Sequence, residues 1–297
     1  MIPNYIYALP HMIKEQAGTN NQVEIITQKS SFTMRNNELF SIVQKLLLFI
    51  EDNTIFSTVL AHFNNKLSEE KIQDILMFLD KHEVIFLSET PVAEPERKLI
   101  LLLSQYTNSL HKYLEQLKNI TFCIYAHGDY TRIMEELLGS LGLQYKLTAK
   151  DQLAELTEAD FLLVGVDSTR MHILDEINEI VRDQEGCLWS FVLFYSDSYM
   201  ISPILNQKNY IGYSCMKDQI KMPQGQHGIS KNMLLENMGI NELLLEIITS
   251  LTKLNIKTSY GRAIIFNSVD KMLDVEKVYY LPRYPKAFYI KRWDGEK

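Results

Sequence analysis

The sequence predicts an α/β protein in two domains: a winged helix-turn-helix over residues 1–90 and a strand–helix domain over 119–297, with a linker and connecting helix at 91–118. Three observations carry the prediction. Between Val23 and Ser88, two strand-length runs precede three helical periods and a returning strand. From Ile120 onward, short apolar runs alternate with amphipathic ones, the pattern of a parallel sheet with helices on its faces. Between these parts lies Glu89–Arg97, where Pro91 and Pro95 stand among charges, as at a junction.

In chain order, Ile2–Leu9 is expected as an opening strand ended by Pro10, completing a three-stranded sheet with Val23–Thr27 and Ser31–Met34. Glu38–Ile50 carries Leu39, Ile42, Val43, Leu46, Leu47 and Ile50 at helical spacing. Thr54 is placed to cap a second helix with Phe56, Val59, Leu60 and Phe63. Ser68 is a good N-cap for a third, with Glu69 and Glu70 in the first turn, where the dipole favours carboxylates. Val84–Leu87 returns as a strand.

The third helix is unusual. Ile72, Ile75, Leu76 and Leu79 form one apolar stripe, yet Met77 and Phe78 lie roughly 150° and 110° from it at ~100° per residue. They either pack under the loop after Leu87 or against the second domain, or they line a hydrophobic groove beside a strand edge. Such a groove suits a peptide that adds itself as a further strand.

The second domain follows a helix at Leu99–Leu117. Its strands are expected at Ile120–Tyr125, Leu143–Leu147, Asp160–Val166 and Leu188–Tyr195. Tyr130–Leu141, closed by Gly142, and Met171–Asp183 are its helices. A polar loop at Lys217–Lys231 leads to a helix at Met233–Leu254, and Gly261–Asn267 and Val278–Leu281 add two strands. The apolar surface of that helix is wider than one stripe, so it is a core helix or the surface of a homodimer.

Composition excludes several classes. The 297 residues are 46% hydrophobic, enough for two cores, and the net charge is −7. Residues 1–90 hold seven Lys/Arg against eleven Asp/Glu, and the third helix has only Lys71 and Lys81 against Glu69, Glu70, Asp74 and Asp80. Phosphate contact relies on cations displacing counterions, so nucleic acid and a role as transcription regulator are disfavoured. Cys123, Cys187 and Cys215 are odd in number and far apart, which suggests no disulfide framework and a reducing cytoplasm. No N-terminal signal pattern is visible, and no apolar run is long enough for a membrane.

Residues 1–90 resemble the leader-peptide recognition domain (RiPP recognition element) of machinery that modifies ribosomally made peptides. The resemblance implies that a leader lies between the third strand, Ser31-Phe32-Thr33-Met34, and a helix face that includes Asp74, Met77, Phe78 and Lys81. Residues 119–297 resemble the ThiF-like, ubiquitin-activating-enzyme-like family in the order of their elements. An active member needs a glycine-rich turn whose amides approach phosphates at a helix N-terminus. Here that turn is Ala126-His127-Gly128-Asp129-Tyr130, with one glycine of the fingerprint's three and a carboxylate that repels phosphate. The nucleotide site is therefore expected to be lost, and His127 to be a turn residue. The family's zinc site needs two Cys-x-x-Cys pairs. Gly212 stands at the first cysteine position and only Cys215 remains; in Leu281-Pro282-Arg283-Tyr284-Pro285-Lys286-Ala287, Tyr284 and Ala287 replace both others. Cys215 is then expected to be a small buried residue, and the chain to use no cofactor.

The pairing of these two parts resembles the ocin-ThiF-like and McbB-like partner proteins of azol(in)e-forming thiopeptide or microcin-type bacteriocin biosynthesis. It implies a non-catalytic scaffold that binds a precursor's leader and presents the core to a YcaO-type cyclodehydratase for thiazoline or thiazole formation. A flavin-dependent azoline dehydrogenase is a further implied partner. The competing reading is a divergent ThiF-like ATP-dependent adenylyltransferase acting on a peptide.

Overall fold

The computed structural model describes residues 4–15, 23–27, 30–34, 37–51, 53–107, 109–182, 184, 187–206, 212–220, 232–251, 262–268 and 272–278. The chain forms two compact units, residues 1–116 with 140–142, and residues 117–139 with 143–297. The stretch 91–118 thus falls almost wholly in the first unit.

The first unit holds strands β1 (Tyr5–Ala8), β2 (His11–Glu15), β3 (Val23–Thr27), β4 (Ser31–Met34), β5 (Thr54–Ile55) and β6 (Ile85–Ser88). Its helices are α1 (Asn37–Phe49), α2 (Phe56–Phe63), α3 (Glu69–Lys81), α4 (Glu94–Ser104) and α5 (Leu110–Lys118). Two antiparallel sheets form, ordered β5-β1-β6 and β2-β3-β4. The opening strand is therefore not the partner of Val23–Thr27; His11–Glu15 takes that place. Pro10, with no N–H to donate, separates two strands instead of ending the extended chain.

Two further expectations are corrected. Thr54 caps no helix: it lies in β5, where its hydroxyl accepts from the Glu51 N–H at 2.9 Å and donates to the Glu51 carbonyl at 3.1 Å. The helix expected over Leu99–Leu117 is two, α4 and α5. The Ser104 hydroxyl donates to the Leu101 carbonyl, and Thr107 Oγ1 accepts the Ser109 N–H, competing with the helical ladder at the break. Ser68 does cap α3, accepting the Lys71 N–H at 3.4 Å. Ile72, Leu76 and Leu79 of α3 are buried against Ile6, Ile25, Val43, Leu46, Val59 and Val84.

The second unit is built on a seven-stranded sheet ordered β13-β12-β11-β10-β9-β7-β8. Strands β7 (Thr121–Ala126), β8 (Tyr145–Leu147), β9 (Asp160–Asp167) and β10 (Leu188–Phe194) run parallel. Strands β11 (Ser198–Ile201), β12 (Arg262–Asn267) and β13 (Met272–Lys277) run antiparallel. The sheet is thus mixed, where strand–helix alternation suggested a parallel one. Strand β11 returns through a tight connection that leaves no room for a crossover helix, with Tyr195 N–H donating to the Ser198 carbonyl at 2.8 Å. Helices α6 (Asp129–Ser140), α7 (His172–Val181), α8 (Tyr213–Gln219) and α9 (Met233–Leu251) complete the unit. Helix α9 packs on β10 and β11, with its Ile240, Leu243 and Ile247 buried, and a Cβ at Gly239 would stand 2.8 Å from the Phe194 ring. Residues 252–254, the strand expected at Val278–Leu281 beyond Val278, and most of the Lys217–Lys231 loop lie outside the described residues. Among the described residues, no helix is long and apolar enough to cross a membrane.

Candidate functional site

In the first unit, β4 is the end strand of its sheet, with β3 on one side and no described strand on the other. The Thr27 N–H donates to the Ser30 carbonyl at 2.8 Å, so Thr27 and Ser30 form a hydrogen-bonded pair. Hydrogen-bonded pairs alternate along an antiparallel ladder, which assigns the next ones to Phe32 opposite Ile25 and Met34 opposite Val23. Ser31 and Thr33 therefore turn their backbone N–H and C=O groups toward the open edge. Their side chains are exposed, while those of Phe32 and Met34 are half-buried on the other face.

Beside this edge lies a groove of about 650 Å³. Its walls are Met34 from β4, Glu38, Leu39, Ile42 and Val43 from α1, Lys66 and Leu67 before α3, and Lys71, Asp74, Ile75 and Phe78 from α3. The α3 residues recur at intervals of three and four, so they form one helical stripe along the groove. At one end Phe78 closes onto the strand: its ring meets Phe32 edge-on at 5.4 Å between centroids and His82 at 4.4 Å, and Phe32 also meets His82 at 4.7 Å. Phe78 nonetheless stays 41% exposed.

The structure brings Phe32, Met34, Asp74 and Phe78 together around this groove, with Ser31 and Thr33 at its strand edge. Met77 and Lys81 are not among its lining residues. Met77 is 61% exposed, and Lys81 lines a separate cavity of about 290 Å³ near α5. Sequence reasoning missed the α1 wall and Lys66, because their nearness to α3 arises only from tertiary packing. The apolar residues Leu39 and Ile42 were visible as part of a helical face, but not as groove residues.

In the second cavity, His111 Nε2 lies 3.0 Å from both oxygens of Asp80, and its ring stacks on Phe86 at 4.5 Å. Asp80 also accepts the Leu87 N–H, and Glu83 accepts the Leu110 N–H. These bonds tie the end of α3 and β6 to α5. The Asp80 carboxylate holds the His111 pKa above its ordinary value against the opposing effect of burial.

In the second unit, β7 ends at Ala126, Gly128 has a φ of +63°, and α6 begins at Asp129. Tyr130 is buried against Phe194, with ring centroids 4.6 Å apart, and the Cβ absent from Gly165 would touch Met134, Ala126 and Tyr130 at 3.1–3.2 Å. Side chains therefore pack closely where strands β7, β9 and β10 meet α6. His127 is partly buried, and its Nε2 has no hydrogen-bond partner among the described residues. Burial pushes the Cys123 thiol up to about 11 and the Cys187 thiol up to about 12, so neither is a thiolate nucleophile near neutral pH. Gly212 precedes α8, and Cys215 within it, expected as a small buried residue, is partly buried and packs against the core of the unit. The C-terminal positions Tyr284 and Ala287 lie outside the described residues. Among the described residues, no group of three or more His, Cys, Asp or Glu is placed to hold a metal.

No family model matches the chain, and no curated protein matches it. Solved structures do. A heterocyclase in complex with substrate and cofactor aligns at a TM-score of 0.67 and 11% identity, covering 95% of this chain and 39% of its own. E. coli MccB, solved with MccA, aligns at 0.55 and 12%, covering 95% and 99%. PaaA aligns at 0.58 and 11%, covering 91% and 99%. The chain thus spans about two fifths of the heterocyclase and nearly all of MccB and PaaA. At such identities the likeness establishes architecture: this chain has the mixed α/β fold that the heterocyclase, MccB and PaaA structures share.

Proposed function

We propose that the chain is a peptide-holding scaffold in azol(in)e-forming peptide maturation. On this reading the first unit acts as a winged helix-turn-helix recognition domain. It binds the leader of a ribosomally made precursor and delivers the core to a separate YcaO-type cyclodehydratase. The observation that carries the reading is the open β4 edge, with the main-chain groups of Ser31 and Thr33 facing outward beside an apolar groove bounded by α3. An added strand gains main-chain hydrogen bonds there, and its alternate side chains drop into the groove and fix register. Holding the core near the enzyme then acts through effective concentration. The likeness to a heterocyclase solved with its substrate and to MccB solved with MccA supports this assignment. A flavin-dependent dehydrogenase that oxidises azolines to azoles fits the same sequence of steps.

A catalytic role as an adenylyltransferase is disfavoured by Asp129 at the N-terminus of α6, by the single glycine in that turn, and by the packed side chains around Gly165. The test is reconstitution with a precursor peptide that the chain binds and a YcaO-type cyclodehydratase, followed by mass spectrometry for the water lost with each ring. Ring formation should depend on this chain, while ATP is consumed by the cyclodehydratase. Equal ring formation without the chain, or ATP-dependent modification of the precursor by the chain alone, would overturn the proposal.

A further inference from the structure

We infer that the segment held in the groove is read by α1 as well as by α3, and that it carries a carboxylate two or four residues away from an apolar side chain. This deepens the peptide-holding reading and rests on it. Leu39 and Ile42 of α1 face Ile75 of α3 across the groove, forming an apolar slot beyond the strand–helix cleft. Leu39 is 37% exposed, so it offers surface for a ligand to cover. At the α3 start, Lys66 and Lys71 line the same groove and make no ion pair among the described residues.

The groove is therefore polarised, with the Phe78 ring at one end of the α3 stripe and Lys71 at the other. Those two positions lie about 10 Å apart along the helix axis. A strand advances about 3.3 Å per residue and returns to the same face every second residue. The side chain over Phe78 and the one reaching Lys71 are then two or four positions apart. Asp74, one turn from Lys71 toward Phe78, repels a carboxylate placed nearer the aromatic end. Glu38, the other rim carboxylate, stands on α1. The occupant that satisfies both ends is an extended peptide with an aliphatic or aromatic residue over Phe78 and the α1 slot, and Asp or Glu toward Lys66 and Lys71.

The experiment is selection of a displayed library of short random peptides against the full chain, with affinities of enriched peptides measured by fluorescence polarisation. Enriched peptides should pair an apolar residue with an acid at that spacing. Replacing the acid by Lys should weaken binding about fivefold, and Lys66→Glu with Lys71→Glu should reverse that preference. Leu39→Trp, which fills the slot, should weaken binding about tenfold without lowering the melting temperature. Both lysine changes are on the surface, so the charge test holds even if Leu39→Trp perturbs folding. Peptides that bind regardless of charge, with affinity unchanged by the lysine reversal, would overturn this inference and leave the peptide-holding reading intact. A library that yields no binder at all would overturn both.

Discussion

Phe78 sits where the two demands on α3 meet, since one edge of its ring packs on Phe32 and His82 while much of it faces the groove. Its departure from the buried stripe was legible in the sequence because helical angle depends on spacing alone. What the ring meets was not, because Phe32 lies on a strand far away along the chain. Phe78→Ala should lower peptide affinity by about 1–3 kcal/mol. The melting temperature should fall only slightly, by the loss of two ring contacts. A strongly destabilised variant whose folded fraction binds normally would assign Phe78 to the core instead. The His111–Asp80 pair was not legible either, since it joins residues on separate helices. Its physical consequence is a pH dependence. Asp80 raises the folded-state pKa of His111, so the imidazolium stabilises the fold fully below the ordinary value of 6.5, and the contribution fades as pH rises through the raised value. Melting temperatures of the native chain and His111→Asn should differ most at pH 6 or below and converge at alkaline pH. A gap that widens with rising pH would contradict this sign.

At the scale of elements, the sequence was clearest where one period runs long enough to be counted. Helices α1 and α3 were read from their apolar spacing, and Ser68 was read as a cap from its place before Glu69 and Glu70. Short strands gave no such signal: Thr54–Ile55 is held by pairing with the distant β1, and His11–Glu15 and Ser198–Ile201 by pairing with the neighbouring strands β3 and β10, rather than by an apolar pattern of their own. The edge strand β4 carries its own prediction. Because Thr33 turns its N–H outward, Thr33→Pro removes a donor that no described strand pairs, whereas Thr33→Ala keeps it. Proline there should weaken peptide binding much more than alanine, and equal effects from both would argue against strand addition. A second prediction concerns α5. A fragment of residues 1–116 keeps His111 and Leu110 against Asp80, Phe86 and Glu83, and a fragment of residues 1–90 loses them. The longer fragment should melt at the higher temperature by circular dichroism; equal melting would make α5 dispensable to the first unit.

At the scale of the whole molecule, the switch in periodicity near Ile120 falls close to the division of the chain into two compact units at Leu117, and the mixed α/β character followed from the order of strands and helices. The mixed character of the sheet was not legible, because Ser198–Ile201 was not read as a strand, nor Ser196-Asp197 before it as the turn that reverses the chain. The two units differ in what they offer a ligand. The first presents a strand edge with no described partner and an open groove, whereas the second buries Cys123 and Cys187 and fills the space around Gly165 with side chains. On the proposed reading, peptide recognition lies in the first unit, at one strand edge. Amide hydrogen exchange of the full chain, with and without a saturating peptide, tests that most directly. Slowed exchange is expected at Ser31 and Thr33, whose N–H groups gain partners in an added strand. Protection confined to the second unit, with the amides of Ser31 and Thr33 exchanging as fast as before, would contradict it.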